Sequence, residues 1–348
     1  MGRNAHPPQG KPVRAVLLAP FLALLLPCAG AGAQVTHRDL EDLELHRREV
    51  RPAPILQSIG SDSLAWDVMV GVETWDFLEG GAPEEVPDTT SGSSHAPGRG
   101  AVIPVFWESP DTLLSAMVAD YIVRHRNGLA TVLGRFAAYE DELGRIFTLR
   151  GLPGDLAILA AVESAMNPLA LSRAGARGMW QFMDGTARQY GLRCDGLVDE
   201  RLDYTRSAEA AAAYLEKAFL RYGDWRLAIS SYNCGPAAVD RAVARAGSDD
   251  YWDIYPYLPT ETRGYFPAFA AFLYAYLYRD DLGIPLRDHR RERYVLYRVD
   301  GDTTFAEMAS RFGVGVRELE RLNPQFLAGI IPGKTRTYYL RIPADRFP

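Results

Sequence analysis

A glutamate with no basic partner on its own stripe is the first residue in this chain whose setting could do chemistry. Glu163 lies in the stretch 155–192, DLAILAAVESAMNPLALSRAGARGMWQFMDGTARQYGL. The first part of that stretch reads as a buried helix, with Asp155 as its N-cap and Asn167-Pro168 as its end. At i−7, i−4, i−3 and i+3 from Glu163 stand Leu156, Leu159, Ala160 and Met166, apolar residues that share its helical face. A carboxyl so placed either floors a cleft or titrates high, because burial penalises its charged form. Held protonated near neutrality, such a group is a general acid, able to donate to the bridging oxygen of a glycoside. The next segment supplies polar and soft side chains that could surround it, Ser172, Met179, Trp180, Gln181 and Met183. Tyr232-Asn233 and Glu261-Thr262 follow later. Trp180, Met183 and Tyr232 would equally serve ordinary core packing, and Gly175 and Gly178 read as backbone requirements. The six histidines are scattered without paired ligand spacing, so neither a metal nor a cofactor is expected.

The elements that must position these residues follow from the rest of the 348-residue chain. Arg3, Lys11 and Arg14, then an apolar run from 15 to 27, then Ala31-Gly32-Ala33, form a secretory leader over 1–33. Cys28 raises a lipid-anchor alternative, which Pro27 disfavours. Loss of the three basic residues takes the formal net charge from −6 to −9, which argues against a nucleic-acid partner. No later apolar run reaches membrane length. Residues 34–100 are an N-terminal region ending in the Gly-, Pro- and Ser-rich linker GGAPEEVPDTTSGSSHAPGRG. An exported chain meets an oxidising compartment, so Cys194 and Cys234 could pair or remain buried thiols, and spacing leaves both readings open.

From residue 101 to 283, with a core at 150–280, the periodicity is helical. Leu113, Met117, Tyr121 and Ile122 keep one stripe, and Leu129, Leu133, Phe136, Tyr139, Leu143 and Phe147 another. Further helices are predicted over 205–222, 225–231, 236–246 and 263–279. The tail differs. YVLYRV at 294–299 and TYYLRI at 337–342 are β-rich, and between them lie two short helices. The first carries the capping box Thr304…Glu307, and the second spans 316–322. The fold class predicted is mainly α, a helical domain followed, within 284–348, by a linker and a small βααβ α+β module, with the polar stretch 282–292 separating the two.

Several motifs together resemble the lytic transglycosylase (soluble-lytic-transglycosylase-like) catalytic domain, and within it the membrane-bound lytic murein transglycosylase D type. They are Glu163-Ser164, Ser172, Gly175-Ala176-x-Gly178-x-Trp180-Gln181-Phe182-Met183, Thr186 and Tyr190-Gly191-Leu192. In the same order follow Asp199-Glu200-Arg201-x-Asp203, Gly223-Asp224-Trp225, Ser231-Tyr232-Asn233-x-Gly235-Pro236 and Leu258-Pro259-x-Glu261-Thr262-Arg263-x-Tyr265. The tail resembles a LysM module through Tyr297-x-Val299-x-Gly301-Asp302-Thr303, Leu322-Asn323-Pro324 and Leu340-x-Ile342-Pro343. Thr304 and Lys334-Thr335 depart from that module's usual pattern.

The resemblance implies a lysozyme-like helical fold acting on peptidoglycan glycan strands in the periplasm or cell envelope. It implies cleavage of the β-1,4 bond between N-acetylmuramic acid and N-acetylglucosamine with formation of a 1,6-anhydro end. Glu163 would act as acid and then as base. Ser172, Gln181, Met183, Tyr232, Asn233 and Glu261 would meet substrate, with Tyr232 also hydrogen-bonding Glu163. The tail would bind N-acetylglucosamine-containing glycan or serve as a structural appendage. A lysozyme-type hydrolase and a non-catalytic glycan-binding protein are the competing readings.

Overall fold

A computed structural model describes residues 112–346 apart from 288 and 290. The leader, Cys28 and the 34–100 region therefore lie outside the described residues, as does the start of the helical domain at 101–111. Among the described residues the helical domain is built around one buried helix, the last of those named below. Helix α1 (Thr112–Arg124) leads into the long α2 (Arg126–Thr148). A 3-10 turn (Gly154–Ile158) continues into α3 (Leu159–Ser164), and α4 (Asp184–Gln189) follows a loop. Then come α5 (Tyr204–Tyr222), α6 (Trp225–Cys234), α7 (Pro236–Ala246), the short α8 (Tyr251–Ile254) and α9 (Thr260–Leu277).

The spine is α9. Every residue from Gly264 to Tyr276 is buried, and α1, α2, α3 and α6 pack around it. A helix apolar on all sides has no solvent face to keep, so it settles in the middle of the bundle. Its neighbours are amphipathic: α2 buries Leu129, Leu133, Phe136, Leu143 and Phe147, the predicted stripe, with Tyr139 half-buried beside them. In α1 the stripe holds at Met117, Tyr121 and Ile122, but Leu113 is exposed. Carboxylates set the starts, Asp203 accepting from the Thr205 and Arg206 amides ahead of α5 and Asp224 from the Arg226 amide ahead of α6.

The first tail strand lies over the β-rich run at 294–299. Strand β1 (Tyr294–Val299) pairs antiparallel with β4 (Tyr338–Pro343), Val295 opposite Ile342 and Tyr297 opposite Leu340. Two three-residue strands, β2 (Asp302–Thr304) and β3 (Ile330–Pro332), pair with each other and enlarge the expected βααβ order. Helices α10 (Phe305–Phe312) and α11 (Val316–Leu322) lie between them. The capping box is formed in both directions: the Glu307 amide donates to Thr304 Oγ1 at 3.2 Å, and the Thr304 amide donates to Glu307 Oε2 at 2.8 Å.

The 282–292 segment, read from sequence as a polar spacer, is pinned to α2. Arg126 donates to the Leu282 and Gly283 carbonyls, and the Arg287 amide donates to Ala130 O. Gly134 makes room for this crossing, because a Cβ there would stand 2.0 Å from the Arg287 carbonyl oxygen. Arg291 pairs with Glu142 at 2.6 Å and lies over the Tyr139 ring. Arg291 is thus committed to the helical domain, while Glu292 pairs with Arg321 of α11 in the tail. Cys194 is buried, Cys234 is half-buried, and both are free thiols. Among the described residues no helix is long and apolar enough to cross a membrane. If α9 is the spine, Phe269→Ala should lower the unfolding free energy by about 3–5 kcal/mol in urea denaturation; a loss below about 1 kcal/mol would show that the bundle does not depend on this helix.

Candidate active site

Glu163 sits one residue before the end of α3, and the chain turns sharply just beyond it. Ala165 and Met166 are both left-handed, with φ of 51° and 64°. The helix therefore stops at Ser164, short of the predicted Asn167-Pro168, and Asp155 lies within the 3-10 turn rather than capping a helix. Left-handed backbone is costly for residues bearing a Cβ, so the turn needs ties. Arg135 of α2 donates to the Ala165 carbonyl at 3.1 Å. Ser164 Oγ donates to Met179 O at 2.8 Å and accepts from the Asn167 amide at 3.0 Å. The serine of the Glu-Ser pair thus fastens the end of α3 to the loop that carries the other candidate residues.

Leu156, Leu159, Ala160 and Met166 are all buried, as the stripe predicts. Glu163 itself is half-buried. Burial pushes its carboxyl up to about 8, opposed by a hydrogen bond from the Tyr265 hydroxyl and reinforced by the charge of Glu261. Both readings of the sequence hold together: the group meets the surface, yet it titrates high.

The tyrosine that holds Glu163 is Tyr265 of α9, whose Oη donates to Glu163 Oε1. Tyr232 does not make that bond, because its hydroxyl is committed to the Trp180 carbonyl at 3.0 Å. It remains close enough for a charge on Glu163 to raise its own hydroxyl further above the usual range. Tyr265 follows Glu261 by four residues on one helix, so the two share a face. That spacing was the available signal, and a role for Glu261 implied its neighbour.

The other predicted residues divide into those turned toward the surface and those tied into backbone. Met183 is 45% exposed, and the same loop exposes Leu169 and Leu171, an apolar set that sequence reasoning passed over. Glu261 is exposed on the first turn of α9. Asn233 accepts from Thr262 Oγ1 at 2.8 Å, joining α6 to α9. Ser172 Oγ accepts from the Ala176 amide at 3.0 Å and closes the 172–176 turn. Gln181, left-handed at φ 47°, donates its side-chain Nε2 to Gly178 O at 2.7 Å. Trp180 is wholly buried, tilted against Phe147 with ring centroids 5.5 Å apart and donating to Tyr204 O at 3.1 Å, so it packs in the core. The site is thus assembled from helix ends and one loop: the last turn of α3, loop 169–183, the last turn of α6 and the first turns of α9. Among the described residues no group of three or more His, Cys, Asp or Glu side chains is arranged to hold a metal.

Gly178 is the steric key of the loop. Its φ is +79°, and a Cβ would stand 1.8 Å from the Arg201 carbonyl oxygen. Gly178→Ala should cost about 2–4 kcal/mol of stability in thermal or urea denaturation, and neutral behaviour would mean that the loop does not lie against Arg201.

Comparison with known proteins supports the sequence resemblance. Residues 150–255 match the family described as Transglycosylase SLT domain, and residues 297–348 match that described as Lytic transglycosylase MltD, LysM-like domain. The membrane-bound lytic murein transglycosylase D of Escherichia coli (strain K12) is 32% identical over 230 residues, covering 64% of this chain and 50% of that protein. The soluble lytic murein transglycosylase of the same organism is 31% identical over 136 residues, covering 37% of this chain and 21% of that protein. The chain therefore spans about half the length of the first relative. The crystal structure of the 70 kDa soluble lytic transglycosylase of Escherichia coli overlays 50% of this chain and 31% of its own, at 24% identity and a TM-score of 0.38.

Proposed function

We propose that this chain, with its SLT-domain and LysM-like matches as premise, is an exported lytic transglycosylase of the cell envelope. On this reading it cleaves the β-1,4 bond between N-acetylmuramic acid and N-acetylglucosamine in peptidoglycan and leaves a 1,6-anhydro end. The domain at 101–283 carries the reaction on a lysozyme-like scaffold, and the tail from 284 adds affinity for the glycan. The single observation behind the reading is Glu163, a half-buried carboxyl pushed up to about 8 with the Tyr265 hydroxyl on one of its oxygens.

Because Tyr265 donates to Oε1, that oxygen acts as the acceptor, and the acid proton belongs on Oε2. In the first step Oε2 gives its proton to the leaving glycosidic oxygen. Glu163 is then a carboxylate, and the same Tyr265 hydrogen bond stabilises it. In the second step the carboxylate takes the proton of the muramic C6 hydroxyl, whose oxygen closes onto C1. A nucleophile already tethered to the substrate needs no second carboxylate, since its effective concentration is very high. Most glycosidases place a second acid for water or for a covalent intermediate. Glu261, exposed and close enough to act on Glu163 by charge, would be the base if water were the nucleophile. The exposed Met183, Leu169 and Leu171 offer apolar surface to sugar faces.

Digestion of purified sacculi followed by mass spectrometry separates the outcomes. Products ending in 1,6-anhydromuramic acid are expected; reducing ends alone, together with loss of turnover in Glu261→Gln, would establish a hydrolase instead. Glu163→Gln should lower turnover by roughly 10²–10⁴ while glycan binding persists; wild-type lysis by that variant would remove Glu163 from the mechanism. Deleting 293–348 should weaken retention on sacculi, and undiminished retention would deny the tail a glycan-binding role.

The pH profile carries its own test. The acid form is present below its pKa, so kcat/KM should fall as pH rises through about 8. Glu261→Gln removes a like charge and should move that fall to lower pH. Tyr265→Phe removes a donor to the carboxylate and should move it to higher pH while reducing turnover. Shifts in the opposite directions would overturn the electrostatic assignment.

A further inference from the structure

The segment 193–204 lies between the tail and the candidate active-site loop and is bonded to both. On the tail side, Val198 is fully buried in the tail's own core, with Val299, Phe305 and Phe326 among its partners there. Its backbone bridges to Phe326, the Asp199 amide donates to Gln325 O at 2.8 Å, and the Leu327 amide donates to Leu197 O at 2.9 Å. Arg341 of β4 pairs with Asp203 at 2.7 Å, with only 3% and 10% of the two side chains exposed. The same guanidinium lies over the Tyr204 ring. Arg336 pairs with buried Glu200 at 3.1 Å, and Arg193 donates to the Tyr338 hydroxyl at 2.9 Å.

On the other side the same residues hold the loop. Asp199 binds the Arg201 guanidinium at 2.7 Å and Arg177 at 3.2 Å. Arg201 donates to the carbonyls of Gly175 and Phe182, at 3.2 and 3.3 Å. Its own carbonyl lies against Gly178, and the Tyr204 carbonyl receives the Trp180 indole. The loop so fixed carries Gln181 and Met183, and through Met179 it meets Ser164, beside Glu163. The tail is therefore continuous with the loop through one short segment, by buried bonds on each face.

We propose that the tail is a brace for the catalytic loop, with Arg341 and Asp203 as positioning residues, and not solely a tether to glycan. A tether affects how much enzyme resides on an insoluble wall; a brace affects turnover on any substrate. The inference rests on the transglycosylase reading for its kinetic consequence, but its mechanical half does not.

The test uses the full chain, with Arg341→Met, Arg341→Lys and the milder Val198→Ala. Two measurements are made: backbone hydrogen exchange over 172–183, and kcat and KM on a soluble, uncrosslinked glycan strand of a few disaccharides. In Arg341→Met, exchange over 172–183 should quicken and kcat should fall by about tenfold to a hundredfold with KM nearly constant. Arg341→Lys, which retains the charge, should recover a large part of kcat, and Val198→Ala should fall between. If Arg341→Met fails to fold, Val198→Ala carries the comparison alone. Faster exchange confined to the tail, or wild-type kcat with only sacculus retention reduced, would overturn the brace. Should the wild type yield no anhydro product, the functional reading fails, and exchange over 172–183 still decides whether the tail braces the loop.

Discussion

The carboxyl of Glu163 is kept where water cannot fully solvate its charge, and much of the surrounding structure exists to hold it there. Its helical neighbours are buried, and the Tyr265 hydroxyl holds one of its oxygens. The chain reverses immediately beyond it through two left-handed residues, neither of them glycine. Such backbone costs about 1–2 kcal/mol per residue and persists only where its surroundings over-determine it. Arg135, Ser164 and the packing of Met166 supply that determination. The spine helix contributes the remaining part, because its first turns bring Tyr265 and Glu261 to the same carboxyl with opposite effects. Burial favours the protonated form of this carboxyl, and the Tyr265 hydroxyl favours its charged form, the balance that the proposed two-step role requires.

A second constraint lies in the buried charges that join tail to helical domain. Ion pairs removed from water gain little net stability, but loss of one partner leaves an unpaired buried charge at a cost of about 3–5 kcal/mol. Arg341 with Asp203 joins the two in this way, whereas Arg201 with Asp199 is a buried pair within segment 193–204 on the loop side. Leaving Asp203 or Arg341 unpaired would be costly, so the Arg341–Asp203 pair favours the one seating of the tail in which both are satisfied. The Asp199-Glu200-Arg201-x-Asp203 run, read at first only as part of a family pattern, has a physical reason in that seating.

The helices and tail strands were legible because their signals are local. The stripes of α1 and α2 show in their periodicity, and the Ala-rich run of α5 and the β-rich runs of β1 and β4 show in their composition. The capping box of α10 declares its start in two residues. Glu163 stood out for the same reason, as a carboxyl on an apolar stripe. What was not legible depended on residues far apart in the chain. Nothing local tells that Ala165 and Met166 turn left-handed, since the ties come from α2 and from loop 169–183. The choice between Tyr232 and Tyr265 was decided by the Trp180 carbonyl, which occupies the Tyr232 hydroxyl. The 282–292 segment looked like a spacer because its charged residues give no sign of Glu142 and Tyr139 waiting on α2. Short α4 and α8 were missed because neither is long enough to show a period.

The central claim is that Glu163 is a carboxylic acid near neutrality, and its titration can be observed without substrate. Infrared difference spectra of the wild type against Glu163→Gln, taken across pH, isolate the carbonyl stretch of this one protonated side chain. That band should persist through neutrality and vanish with a midpoint near 8. A midpoint near the ordinary 4.5 would contradict it, and with it the assignment of Glu163 as the acid.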